Sequence, residues 1–180
     1  MTSSSDKSVT AERGFQLQNV HWLWLSVLVI VADQISKQLV VNNLQLFDRI
    51  HLFDWLNLAR MHNTGAAFSI FAGATPWFFV GLSIVVAIGI LIWLRRHPHG
   101  ERLVAASLAL ILGGALGNAI DRATRGHVID FVDFHLAGWH YPAFNVADSA
   151  IVLGAILLGV DMLWPRRKIP LDSDRRSGNS

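Results

Sequence analysis

Two apolar runs, Trp77 to Leu94 and Leu103 to Ile120, contain no Asp, Glu, Lys or Arg, and this limits what the chain can fold into more than any other feature. A hydrocarbon core of roughly 30 Å takes about 20 helical residues to cross. Non-helical backbone finds no partners for its polar groups in lipid. Both runs are therefore expected to be transmembrane helices. Composition agrees: 52% of residues are hydrophobic and only 16% charged, against about a quarter charged in an ordinary soluble domain. Two further runs, at 22–41 and 146–164, reach spanning length only by including charge, Asp33 and Lys37 in one and Asp148 and Asp161 in the other. Charge inside a membrane is expensive and tends to mark function. The expected fold is an all-α membrane protein with four transmembrane helices, forming one domain over residues 1–180 with polar tails at 1–20 and 165–180.

Lys and Arg set the orientation, because the cytoplasmic side holds their excess. Lys7, Arg13, Arg95, Arg96, Arg102, Arg166, Arg167, Lys168, Arg175 and Arg176 fall on one side, and Arg49, Arg60, Arg122 and Arg125 on the other. Both termini are thus expected in the cytoplasm, with segments 42–76 and 121–145 facing outward. A cleaved signal peptide over the first run is disfavoured, since its leader is long, contains Asp6 and Glu12 and is followed by no small-residue cleavage site. Trp22, Trp24, Trp77, Trp93 and Trp164 sit at span ends as an aromatic belt does.

Several chemistries are excluded. The chain has no cysteine, which removes thiol nucleophiles, thiolate metal sites and disulfides. The basic residues form no continuous stripe, so nucleic acid is not an expected partner. His127, Asp130, His135 and His140 match no standard metal-ligand spacing, and neither metal nor cofactor is expected. Ser149 is adjacent to Asp148, but helical neighbours do not face each other, so a serine nucleophile with that base is disfavoured.

The polar residues that remain converge by depth. Asp33 and Lys37 lie in the outer half of the first span, Asn118, Asp121 and Arg122 at the outer end of the third, and Asn145 and Asp148 at the outer start of the fourth. Each group also has a plain structural explanation. Asp33 and Lys37 have the i,i+4 spacing of a helical ion pair. Asn145 and Asp148 have that of a helix N-cap and its third residue. Asp121-Arg122 suits the point where a helix leaves the membrane, and Gly113 and Gly117 suit close helix packing. In the loops, Leu56 and Leu58 alternate with polar residues like a strand, and Asn63-Thr64-Gly65 reads as a turn. The run from His127 to Phe134 mixes β-branched and aromatic residues with carboxylates. If it is extended, Asp130 and Asp133 point to opposite faces and only one can join the cluster. Asp130 and Asp148 would then form a pair of carboxylates sharing one proton, a base and an acid together near neutral pH. The helix N-terminus favours charge on Asp148.

Taken together, Asp33-Gln-Ile-Ser-Lys37, Asn63-Thr-Gly-Ala-Ala-Phe68-Ser69, Gly117-Asn118-Ala-Ile-Asp121-Arg122, Gly126-His-Val-Ile-Asp130-Phe131 and Phe144-Asn145-Val-Ala-Asp148-Ser149 resemble, in order and spacing over about 22–164, the motifs of the bacterial lipoprotein signal peptidases (signal peptidase II). The resemblance implies a four-helix aspartyl endopeptidase of the bacterial inner membrane, with a small periplasmic β-cradle and a short periplasmic helix from segment 42–76. It implies cleavage of prolipoproteins on the N-terminal side of a diacylglyceryl-modified cysteine, with Asp130 and Asp148 as the catalytic pair. Asn63, Asn118, Asp121, Arg122 and Asn145 match positions that line or brace the site, and Asp33 and Lys37 match a polar pair on the first helix. The implied partners are prolipoproteins and membrane lipid, with substrate entering sideways from the bilayer toward a site in the periplasmic leaflet. A monomer is expected, and the loop around Phe68 is expected to form part of a lid. The alternative weighed against this is a proton-coupled transporter of small solutes, which the one-sided depth of the cluster and the unlike halves disfavour.

Overall fold

A computed structural model describes residues 19–65, 74–96 and 101–163. A 3-10 turn at Val20–Trp22 leads into α1 (Leu23–Asn43), followed by β1 (Arg49–Phe53), β2 (Leu56–Asn63), α2 (Pro76–Arg96), α3 (Arg102–Arg125), β3 (Val128–Leu136), β4 (Trp139–His140) and α4 (Val146–Leu163). All four α-helices are long and apolar enough to cross a membrane, and they coincide with the four expected spans. The Phe68 lid, Trp164, residues 1–18 of the first polar tail and all of the second lie outside the described residues, as does 66–73. Among the described residues of segment 42–76 no helix precedes α2.

Local chemistry sets the helix ends. Pro76 opens α2, where its missing N–H costs nothing. Arg95 and Arg96 close α2 against the negative end of its dipole. The third helix runs further than its apolar stretch: it continues through Asp121 and Arg122 to Arg125 and stops at Gly126, whose φ of 76° lets its N–H cap Arg122 O at 3.1 Å. Asp121 and Arg122 are thus helical residues in the last turns of α3.

The most buried span is α3, with α1, α2 and α4 packed around it. Small residues make this approach close. A Cβ on Gly113 would lie 2.8 Å from Ser26 O of α1, and Ser26 Oγ donates to Ala109 O at 2.7 Å across the same contact.

At one end of the bundle sits a four-stranded antiparallel sheet in the order β1-β2-β3-β4. β2 and the extended run over β3 agree with the sequence reading, whereas β1 and β4 were not anticipated from it. A shift between Leu58 and Met61 bulges β2 against β3. Arg60 of β2 donates to Leu44 O at 2.8 Å and Val41 O at 3.3 Å, filling carbonyls left open at the C-terminus of α1. Val40 of α1 and Leu44 just after it pack with Ile129 and Phe131 of β3 beneath it. The sheet is thereby fixed to the end of the bundle where the polar residues gather.

Candidate active site

The deepest layer of the site is an ion cluster. Asp33, Lys37 and Asp121 are fully buried. Lys37 Nζ lies 2.8 Å from Asp33 Oδ2, 2.8 Å from Asp121 Oδ2 and 2.9 Å from Asn118 Oδ1, so each of its three protons has an acceptor. Asp33 Oδ1 accepts from Ala147 N at 2.9 Å, at the start of α4. Asp121 Oδ2 accepts from Ile129 N of β3 at 3.3 Å, and Oδ1 pairs with Arg125. Two carboxylates are balanced by two cations, as buried charge requires. The i,i+4 ion pair expected on α1 is therefore real, but it is also the link joining α1, α3, α4 and β3. Gln34, which bridges Asp33, Gly117 O and Asp121, each at 3.2 Å, was not singled out in the sequence; neither was Arg125.

Above this layer three asparagines hold the two carboxylates. Asn118 takes Lys37 on Oδ1 and donates through Nδ2 to Asp148 Oδ1 at 2.7 Å. Asn145 caps α4: its Oδ1 accepts from Asp148 N at 2.9 Å, and its N–H donates to Asp148 Oδ2 at 3.3 Å. This reciprocal pair is the capping geometry expected from the spacing. The Asn145 side chain also donates to Asp130 Oδ1 at 2.6 Å. Asn63 donates to Asp130 Oδ2 at 3.0 Å, its own Oδ1 held by Gly65 N at 3.0 Å in the expected turn. Capping and site-building are thus one set of bonds.

Asp130 and Asp133 part company as β3 predicts. The Asp130 carboxyl is pushed up to about 6, first by burial and then by the negative charge of Asp148, which together outweigh the Asn63 and Asn145 hydrogen bonds. Burial acts upward on Asp133 too, but Asn57 at 3.0 Å, His140 at 2.7 Å and Arg49 at 3.4 Å hold it below the usual carboxylate range. Only Asp130 joins the cluster.

Arg122 reaches over from α3, donating to Gly65 O at 3.4 Å, with its guanidinium 4.7 Å above the Phe79 ring. It lines an open groove of about 640 Å³ together with Asn63, Tyr141, Phe144 and Asp148, which continues along α4 over Val152 and Ile156. The groove thus joins a polar end to an apolar one. His127 stacks on His62 at 3.7 Å, and His135 on His140 at 5.2 Å. No group of three potential metal ligands occurs among the described residues. Asp161 lines a separate cavity with Trp93 and Glu101.

This geometry belongs with a known family. The family model described as signal peptidase (SPase) II matches residues 25–164. A lipoprotein signal peptidase of Alteromonas mediterranea is 43% identical, the match covering 82% of this chain and 83% of the relative. One from Burkholderia multivorans is 49% identical, over 79% and 87%. A bacterial membrane enzyme solved by the in meso method at 2.3 Å resolution superposes with a TM-score of 0.73 at 30% identity, over 80% of this chain and 88% of that one. These matches lend no support to a transporter. The chain is a multi-pass membrane protein and belongs to the signal peptidase II family.

Proposed function

We propose that this protein is an aspartic endopeptidase that removes signal peptides from prolipoproteins, cutting on the N-terminal side of the diacylglyceryl-modified cysteine, with Asp130 and Asp148 as its catalytic pair. One observation carries the assignment: a single residue, Asn145, bonds both carboxylates, and Asp148 opens onto a groove that turns from polar to apolar. The chemistry follows from the two environments. Asp148 stands in the first turn of α4, where the helix amides favour negative charge. Asp130 is the member inclined to keep its proton. Water held between them loses a proton to Asp148 as its oxygen attacks the scissile carbonyl, and the Asp130 proton stabilises the developing oxyanion. The proton on Asp148 then passes to the leaving amine as the C–N bond breaks. Arg122 and Asn63, at the groove wall, are placed to hold the peptide backbone extended.

In this reading the chain is one monomeric domain in the bacterial inner membrane with both termini in the cytoplasm. The sheet and site face the periplasmic leaflet, at the depth where a lipid-anchored substrate presents its scissile bond. Asn118 and the Asp33, Lys37 and Asp121 cluster brace the site from below.

The test is cleavage of an acylated prolipoprotein and its non-lipidated counterpart by purified protein in lipid. Wild type is expected to cut only the lipidated form, and Asp130→Asn and Asp148→Asn to lose activity by about 10²- to 10⁴-fold while remaining folded. Full activity in either variant overturns the dyad.

A further inference from the structure

Beyond the bulge between Leu58 and Met61, the ladder of β2 and β3 has three rungs: Met61 opposite Asp130, His62 opposite Ile129 and Asn63 opposite Val128. On the last of these β2 ends and β3 begins. A short ladder cut off by a bulge opens easily. Yet the Asn63 bond to Asp130 Oδ2 at 3.0 Å needs the two strands to keep their spacing at this end.

The strands are tied to the bundle at different places. β3 is held close to this end, by Ile129 N on Asp121 Oδ2. β2 is held through Arg60 on the carbonyls of Val41 and Leu44, and Arg60 lies within the bulge, not beyond it. Across the last rungs runs a ring stack. His62 shares a rung with Ile129, and His127 precedes Ile129 by two residues, so the imidazoles are diagonal neighbours on the face away from Asn63 and Asp130. Their centroids are 3.7 Å apart, with an interplanar angle of 26°. His127 directly follows Gly126, the cap of α3, so the stack ties the end of β2 to the helix that carries Asn118 and Asp121.

Charge favours this contact. Two imidazolium rings at such a separation would repel, but burial, then His127 and Arg60, hold His62 below the ordinary histidine range. Burial lowers His127 as well, and Arg125 and Arg60 add their charge in the same direction, outweighing a backbone hydrogen bond from Arg125 and the charge of Asp121. Both rings are therefore mostly neutral at pH 7.

We propose that His62 and His127 are positioning residues for the carboxylate pair: their stack clamps the end of the β2–β3 ladder and so keeps Asn63 on Asp130. Its role in catalysis rests on the peptidase reading, whereas the clamp itself does not.

The Asp130 proton reports the clamp. Asn63 favours the charged carboxylate, so releasing Asn63 raises the pH at which Asp130 ionises. Infrared titration of the purified protein in lipid follows the protonated-carboxyl band that Asp130→Asn removes. Asn63→Ala is expected to raise its midpoint by about one pH unit, as befits one hydrogen bond to a charged group. His127→Ala is expected to raise it similarly, and to add nothing on top of Asn63→Ala. His127→Phe keeps a stacking ring and is expected to restore the wild-type midpoint. His62→Leu breaks the stack from the other strand, and decides the matter if His127→Ala does not fold. An unchanged midpoint in any of the three truncations overturns the proposal. So do additive shifts with Asn63→Ala, a Phe variant that behaves like Ala, or unfolding of both histidine truncations. The band is read without substrate, so failure of wild type to cleave prolipoprotein would count against the peptidase reading and leave the clamp standing.

Discussion

Asn145 holds Asp130 Oδ1 at 2.6 Å with its side-chain amide, the shortest of the asparagine bonds to the two site carboxylates. The same residue caps α4 and, through its main-chain N–H, steadies Asp148. Asn145→Ala therefore removes a helix cap worth about 1 kcal/mol and unties Asp130 from α4. Asn145→Ser keeps an N-cap but cannot span both carboxylates. Thermal unfolding in detergent is expected to show the loss largely restored in the Ser variant, while kcat stays low in both. Recovery of kcat along with stability would mean Asn145 is only a cap.

The raised Asp130 carboxyl fixes a pH dependence. Its folded value of about 6 exceeds its ordinary 3.8, so the folded state holds this proton more tightly than the unfolded chain. That contribution is complete below the unfolded value and is lost as pH rises through about 6, a swing of about 3 kcal/mol. Asp130→Asn removes the penalty of the buried charge. Denaturation followed against pH should find the variant stabilised above about pH 6 and little changed below about pH 4.

Activity follows the same proton. If Asp130 acts as the acid, its ionisation sets the alkaline limb of kcat/KM. Asn63 donates to Asp130 Oδ2 and favours the charged form. Asn63→Ala should therefore move that limb to higher pH, whatever it does to the rate at the optimum. A limb that stays put or moves down would place the acid elsewhere.

How much of this was legible beforehand depended on whether neighbours in sequence are neighbours in space. The spans were readable because lipid leaves backbone a single option, and Asp33 with Lys37 because i,i+4 residues meet on a helix. The alternation of β3 separated Asp130 from Asp133 correctly. The second and third partners of Lys37, namely Asp121 and Asn118, come from another helix and have no local signature. β1 escaped notice because all five of its residues are exposed, which removes the alternation that marks a half-buried strand. β4 has only two residues, too few for a pattern. The length of α3 was underestimated because Asp121, Arg122 and Arg125 end its apolar run but not its helix, their charges being used inside the site or over it.

The ion cluster predicts strong non-additivity. Lys37→Met strands Asp33 and Asp121 without their shared cation, and breaking a buried pair from one side costs about 3–5 kcal/mol. Adding Asp33→Asn and Asp121→Asn to Lys37→Met removes the stranded charge. Unfolding midpoints should fall steeply in the single variant and recover substantially in the triple one. A triple variant no more stable than the single would show that hydrogen bonds to Ala147 N and Ile129 N, not charge balance, dominate.

Gly117 tests whether the site tolerates any shift between α1 and α3. A Cβ there would lie 2.8 Å from Asp33 Oδ2 and 3.4 Å from Ala147 Cβ. Asp33 cannot swing aside freely, since Lys37 holds Oδ2 and Ala147 N holds Oδ1. Overpacking of this kind costs about 1–3 kcal/mol, and here the strain falls on the contact that seats the start of α4 at Ala147, the residue before Asp148. Gly117→Ala should lower both stability and kcat. Gly113→Ala, one turn away, meets the Ser26 backbone at 2.8 Å and should lower stability with a smaller effect on kcat. Equal losses of kcat in the two variants would separate catalysis from the Asp33 contact and tie it to helix spacing alone.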